Sequence, residues 1–276
     1  MTANPPDSSI NASTFSLISS LRFDPDLPSA VRQHAGTSYP EPHDSLYYLL
    51  RYHQDRLLKA ATNFQWHKAI SLLQQPLEQF TQKLDSAIPD RSKAWRLRIV
   101  VDVEGRCSVD VHPATPWPLP GMFLPASFDV LASLNPSFPW RLAVDPERTA
   151  PSQFTTYKTT SRSHYDAARQ RVGIQSPMDP TEVLLVNPQG EVMEGSITTV
   201  YFRRRHQNHG DATTEWVTPP LASGCMISVS RQYALDYELC TEKAIRLDEL
   251  VDGEQCLLSN GVRGFIPAVL DLKAVH

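Results

Sequence analysis

The chain reads as a mixed α/β (α+β) protein in two domains, on three observations. Strand-type and helix-type segments both recur from one end of the sequence to the other. At 276 residues the chain is long for one core and comfortable for two. Between 146 and 152, proline and polar residues form the best candidate linker in the sequence. The expected division is a tail over 1–13, an N-terminal α/β domain over 14–145, the linker over 146–152 and a C-terminal α/β domain over 153–276.

The first 13 residues are polar and carry no Lys or Arg. They lack the basic start and apolar stretch of a signal peptide and read as a disordered tail. FSLISSLRF, from Phe15 to Phe23, has strand-like apolar density and is stopped by Asp24-Pro25-Asp26. It carries Ser20 and Arg22, the latter either a strand-end surface charge or a carboxylate anchor beside a pocket. The stretch over 25–44 is rich in Pro, His and Ser and reads as a loop. Ser45 to Phe64 predicts an amphipathic helix, with Leu46, Leu49, Leu50, Leu57, Leu58 and Ala61 at helical spacing. Arg56 falls within that apolar stripe. Such an arginine commonly snorkels to solvent or pairs with a carboxylate, but its planar fork also suits phosphate.

A second helix is expected over Leu77 to Ala87, ending before Pro89. WRLRIVVD, from Trp95 to Asp102, then Gly105 and Ser108 to His112, give the signature of a β-hairpin. Five prolines between Pro113 and Pro125 exclude an interior strand or helix. Strands are expected over 128–134 and 142–145. Beyond the linker, Ser163 to Arg171 predicts a short helix, and EVLLVN (Glu182 to Asn187) a buried strand turned by Pro188-Gln189-Gly190. Glu191 to Phe202 returns as one or two strands broken at Gly195. The run from Arg203 to Thr214 reads as a solvated hairpin tip. Trp216 to Thr218 predicts a strand, and Ser230 to Leu239 a helix with a serine cap. Cys256 to Asn260 and Phe265 to Leu270 predict the last two strands.

Composition narrows the function classes. The formal charge of -4 gives no basic footprint for nucleic acid or an anionic membrane, and no apolar run approaches the ~20 residues of a membrane helix. Cys107, Cys225, Cys240 and Cys256 show no CxxC pairing, so they read as reduced core thiols of a cytoplasmic protein. The histidines form no HExxH or comparable pattern, and no metal site is expected.

One constellation stands out. A pyridoxal phosphate cofactor asks for a lysine, a carboxylate facing its ring nitrogen, and backbone N–H groups for its phosphate at a helix start. Lys158, Glu194 and the Val229/Ser230 helix start can supply these in turn, and the Ser259-Asn260-Gly261 turn offers further amides. Arg56 then becomes the charged partner of the phosphate.

The blocks RYHQDRL, YKTTSRSHYDAAR, EVLLVNPQGEVMEGSITTVYF, TPPLASGCMISVSR and LLSNGVRGFIPA resemble, in order, the class IV aminotransferase family. These are the fold-type IV pyridoxal phosphate enzymes, which include 4-amino-4-deoxychorismate lyase, branched-chain aminotransferases and D-amino acid aminotransferases. The resemblance is dense over the C-terminal half and reaches the N-terminal half through the Ser20–Arg22 strand and the helix around Arg56. It implies a two-domain α/β fold of the D-amino acid aminotransferase type, a cofactor held between domains, and a homodimer. Carried over by motif, Lys158 is the Schiff-base lysine and Glu194 the partner of the pyridinium nitrogen. Arg56, the Val229 and Ser230 amides, and Asn260 and Gly261 form the phosphate site. Thr199 departs from the asparagine common in the family, and Ser228 from its glycine.

The K-T-T-x-R segment and the N-G-V-R-G turn are similar to those of the lyase-like branch, which forms 4-aminobenzoate, a folate precursor, and pyruvate. The alternatives are a transaminase acting on branched-chain, D-amino acid or amine substrates, and a non-catalytic homologue that binds cofactor only. Arg22, Arg162 and Arg263 are the candidate anchors for a substrate carboxylate. Tyr165 reads as a helix residue packing on the core.

Overall fold

The computed structural model describes residues 14–123, 139–176, 178–208 and 211–273. The tail expected over 1–13 and the strand expected over 128–134 lie outside the described residues.

Two sheets organise the molecule. The smaller has order β1-β2-β3, all antiparallel, from β1 (Leu17–Phe23), β2 (Trp95–Val101) and β3 (Cys107–Pro113). Leu97, Ile99 and Val101 point into its core while Arg96 and Arg98 alternate to the other face, the period-2 signature of a half-covered sheet. Register sets Arg22 opposite Arg96, and Arg96 opposite His112. Cationic and polar side chains therefore line up across one face.

The other face is covered by helices. α1 (Leu27–His34) is followed by α2 (Leu50–Asn63), α3 (His67–Leu73) and α4 (Leu77–Asp85). Leu57, Ala60 and Ala61 of α2 pack with Leu17, Leu21 and Leu97 in one buried cluster. Two expectations are corrected here. The stretch over 25–44 is not all loop, because α1 occupies Leu27–His34. Its Pro28 sits in the first turn, where a missing N–H costs nothing, and Leu27, Ala30 and Val31 bury one side. Helix α2 starts at Leu50 instead of Ser45, because Leu49 adopts a left-handed backbone (φ 53°) and Tyr47 still bridges to Phe23.

The larger sheet has order β6-β5-β4-β11-β10-β7-β8-β9. Its strands are β4 (Trp140–Arg148), β5 (Thr181–Val186), β6 (Val192–Gly195), β7 (Thr199–Asn208), β8 (Asp211–Thr218), β9 (Thr241–Glu242), β10 (Gln255–Asn260) and β11 (Gly264–Asp271). Parallel pairing of β4 with both β5 and β11 places it inside the sheet. The chain has thus joined the larger sheet at Trp140, and β4 runs through Arg148, past the start of the linker expected over 146–152.

Among the described residues, three helices belong to this half: the single turn α5 (Gln153–Thr156), α6 (Ser163–Arg171) and α7 (Val229–Asp236). Helix α7 begins one residue earlier than the sequence suggests and ends at Asp236; Ser228 is its N-cap. A cluster joining Leu27, Val31 and Tyr48 to Tyr201, Val229, Tyr233 and Phe265 packs the two halves together. All four cysteines are free; Cys225, Cys240 and Cys256 are buried and Cys107 is partly so. Among the described residues, no helix is long and apolar enough to cross a membrane, and no group of His, Cys, Asp or Glu could hold a metal ion.

Candidate active site

Lys158 sits where the two sheets are stitched together. Upstream, Ser152 caps α5: its hydroxyl accepts from the Phe154 N–H, while Thr155 Oγ1 accepts from the Ser152 N–H at 3.0 Å. The Ile227 N–H donates to the Thr156 carbonyl at 2.9 Å. Two residues on, the Ile18 N–H donates to the Lys158 carbonyl at 3.0 Å, and the Thr160 N–H to that of Ser16 at 2.9 Å. The lysine side chain enters a cavity of about 490 Å³ lined by both sheets. Burial pushes its amine down to about 7, helped by the charges of Arg56 and Arg162 and opposed by Glu194.

Glu194 lines the same cavity from β6 and is 4% exposed. Its carboxyl is pushed up to about 8 by burial, against the Tyr165 hydroxyl and the Met226 backbone N–H, which favour the charged form. Tyr165, on α6, donates to Glu194 Oε1 at 2.5 Å.

The segment after Glu194 is held by a second buried acid, Glu182 on β5. Its carboxylate accepts from the backbone N–H groups of Ser196 (3.1 Å) and Ile197 (3.1 Å) and from the hydroxyls of Ser196 (2.6 Å) and Thr198 (2.9 Å). A side chain at Gly195 would meet Glu182 Cγ at 2.8 Å, so only glycine lets β6 approach this closely. Thr199, where the family commonly has asparagine, is buried and opens β7 opposite Ser259.

Opposite Glu194, Arg56 projects from α2 and is buried. Its Nη2 donates to Ser19 Oγ at 2.6 Å, and Nε has no partner. Ser19 Oγ lies 2.7 Å from His53 Nδ1. Arg56 Nη2, which can only donate, also lies 3.5 Å from Nδ1; this assigns Nδ1 as the acceptor, so the Ser19 proton points to it and His53 carries its own proton on Nε2. Burial first, then Arg56 and Lys158, hold His53 well below the usual imidazole range, in keeping with this neutral form.

Ser228, Asn260 and Gly261 line the cavity near Arg56. The Asn260 side chain builds its turn by accepting from the N–H groups of Val262 (3.0 Å) and Arg263 (2.9 Å). A Cβ on Gly261 would lie 2.6 Å from His53 Cε1 and 2.9 Å from Val229 Cγ2. Ser230 is fully buried behind this wall; its hydroxyl accepts from Ser259 at 2.7 Å and lies 3.2 Å from that of Ser228. Val229 borders a smaller cavity of about 100 Å³ that Arg56 and Ser228 also line.

The three arginines proposed from sequence as carboxylate anchors all line the main cavity, in different states. Arg22 is buried and committed, with Nε donating to Asp24 at 2.8 Å and Nη1 to the Thr115 carbonyl at 3.2 Å. Arg162 pairs with Asp166 at 3.0 Å and lies over the Tyr165 ring. Arg263 stacks over Trp140, and burial lowers its pKa. Arg96, Arg98 and His112 also line the cavity and were missed. Arg98 is paired with Asp110 at 3.1 Å. Arg96 makes no hydrogen bond or ion pair among the described residues, and burial followed by Arg98 lowers its pKa. The signal was present in WRLRIVVD, whose alternation sets Arg96 and Arg98 on one face.

A buried amine, a buried carboxyl and a half-used arginine thus open on one space rimmed by cations. A lysine, an acid for a ring nitrogen and an arginine for phosphate are the donor set that pyridoxal phosphate requires, and the unpaired Arg56 Nε is consistent with an anion beside it.

The profile of the Amino-transferase class IV family matches residues 43–270, and the chain belongs to that family of pyridoxal phosphate-dependent enzymes. Aminodeoxychorismate lyase of Saccharomyces cerevisiae is 31% identical over 218 residues, which cover 71% of this chain and 56% of the yeast protein. A Schizosaccharomyces pombe protein, provisionally described as an aminodeoxychorismate lyase, is 28% identical over 84% of this chain and 87% of its own length. Among solved structures, one from Mesorhizobium loti, provisionally described as an amino-acid aminotransferase, superposes with a TM-score of 0.64. It is 24% identical and covers 93% of this chain and 99% of its own, which speaks for the fold.

Proposed function

We propose that this class IV enzyme binds pyridoxal 5′-phosphate and acts as an aminodeoxychorismate lyase, forming 4-aminobenzoate and pyruvate. The observation that carries this reading is the opening of Lys158 and Glu194 onto one cavity whose rim is lined with arginine. When bound, the cofactor supplies an electron sink for charge developing at the carbon that bears the substrate amine.

The chain's own residues have separable tasks. Lys158 holds the cofactor through its amine and, once the substrate amine replaces it, moves the proton at that carbon. A pKa near 7 leaves a useful fraction of the amine unprotonated at neutral pH, as a base requires. Glu194 holds the ring nitrogen in its protonated form, since a buried carboxylate beside it favours the cation. Arg56 uses its remaining donors on the phosphate, with Asn260 and Gly261 supplying the turn beside it and the Val229/Ser230 helix start its amides. Loss of the substrate's enolpyruvyl oxygen as pyruvate then leaves an aromatic ring.

The cationic rim supports a substrate with two carboxylates. Arg22, Arg96 and His112 lie in register across the smaller sheet, and Arg263 faces them from the larger one. We further propose two domains built on the two sheets, a homodimeric assembly and a cytoplasmic location.

Two parallel assays test the reaction. Purified enzyme supplied with cofactor should release pyruvate and 4-aminobenzoate from aminodeoxychorismate. Formation of glutamate from an amino acid and 2-oxoglutarate, without those products, would make the enzyme a transaminase. Silence in both assays would leave a cofactor-binding homologue. Sedimentation at two concentrations measures the assembly.

A further inference from the structure

Tyr165 carries a buried hydroxyl that the functional reading does not use. It sits on α6, 2% exposed, and its O–H donates to Glu194 Oε1 at 2.5 Å. The next acceptor, the Thr155 carbonyl, is 3.4 Å away, so the proton belongs to the carboxylate. Arg162 lies over one face of the ring, 5.5 Å from its centroid, and the His164 ring is 4.0 Å from it. The phenol is therefore packed in place. Met193 and Met226 belong to the same buried cluster, so little water competes for the bond.

We infer that Tyr165 is a positioning residue for the cofactor's ring nitrogen: it binds Oε1 of Glu194, fixes the carboxylate's rotamer and favours its ionised form. This rests on the pyridoxal phosphate reading above.

The physical argument follows from what each group can do. Among the described residues no cation is bonded to Glu194; its charge is supported by the Tyr165 O–H, the Met226 N–H and the more distant Lys158. A buried carboxylate with so little support drifts to its neutral form, and burial already pushes Glu194 upward. A neutral carboxylic acid cannot stabilise a protonated ring. The phenol stays a donor throughout, because burial and the adjacent carboxylate hold its own pKa well above the ordinary range. Removing one donor thus acts on the ring nitrogen through Glu194, without touching the cofactor directly.

Tyr165→Phe deletes the hydroxyl and preserves the packing. Two probes separate a positioning role from a structural one: pyridoxal phosphate and its deaza analogue, in which carbon replaces the ring nitrogen. Both are titrated into wild type and variant, following quenching of protein fluorescence. The expected result is an affinity for pyridoxal phosphate reduced about tenfold, the scale of one hydrogen bond to a charged group, with that for the analogue unchanged. Glu194→Gln should lose the same discrimination, and adding Tyr165→Phe to it should cost little more. Equal losses for both probes, or no loss for either, would overturn the positioning role while leaving the cofactor reading intact. Wild-type protein that binds neither probe would overturn both. A thermal melt of each variant without cofactor supplies the fold control.

Discussion

Replacing Ser19 with alanine offers a stringent test of how the Arg56 side of the site is held. Ser19 is fully buried, and its hydroxyl bridges two groups that otherwise meet only through the 3.5 Å contact of Arg56 Nη2 with His53 Nδ1. It accepts from Arg56 Nη2 at 2.6 Å and donates to His53 Nδ1 at 2.7 Å. Each of those partners already carries an unpaired buried nitrogen, Nε on Arg56 and Nε2 on His53. Ser19→Ala therefore removes the close partner of both groups and leaves Arg56 Nη2 and His53 Nδ1 only their weak 3.5 Å contact. A neutral buried group left unpaired costs about 1–3 kcal/mol and a charged one more, so the expected loss is about 3 kcal/mol. That is roughly a hundredfold in the folding equilibrium. Urea unfolding followed by circular dichroism, without added cofactor, measures it as a lower midpoint at unchanged slope. A loss below about 1 kcal/mol would mean that the two nitrogens are satisfied some other way, and would refute the relay from Arg56 through Ser19 to His53.

Four further outcomes are expected. The neutral, buried His53 resists protonation that the unfolded chain accepts, so the stability it contributes is complete above about pH 6.5 and falls as pH drops below it. His53→Gln should remove up to about 1.4 kcal/mol per pH unit from that acid slope, and an unchanged slope would refute the assignment. Lys158 works in the opposite range. Its depressed pKa of about 7 makes the cofactor-free protein more stable as pH rises from 7 towards 10.5, a rise that should be absent from melts of Lys158→Met. Glu182→Gln sets an NH₂ group among donors and should cost about 3 kcal/mol in urea, with retained stability counting against the carboxylate as organiser of residues 195–198. Arg96→Ala should raise KM for a dicarboxylate substrate about tenfold or more while the visible absorption of the bound cofactor stays the same, and an unaltered KM would remove Arg96 from the anchors.

Much of this was legible before the fold was known, and the limits have physical causes. Strong local patterns survived: the alternation of WRLRIVVD gives β2, and Ser163 to Arg171 is helix α6 as predicted. Helix α1 was hidden because prolines and polar residues read as a loop, although Pro28 occupies the first turn where it is tolerated. The start of α2 was misread because Leu46 and Leu49 fit helical spacing, while Leu49 in fact takes a left-handed backbone and packs in a core separate from that of Leu50 and Leu57.

Within the site, Lys158, Glu194, Arg56, Asn260 and Gly261 do come together, whereas Ser230 lies behind the cavity wall. Tyr165 looked like packing and is packing, yet its hydroxyl also reaches an acid 29 positions away. No local spacing rule carries that information. Arg96 differs from Arg22 through what surrounds it: Asp24 pairs with Arg22, and no described residue hydrogen-bonds or pairs with Arg96.

The double stitching of the backbone around Lys158 has a mechanical meaning. Within three residues the chain is hydrogen-bonded to Ile227 on one side and to Ile18 on the other. A rotation of one sheet against the other would have to break one of these bonds unless its axis passes close by. Lys158 thus lies near the pivot, where an angular motion produces the least displacement.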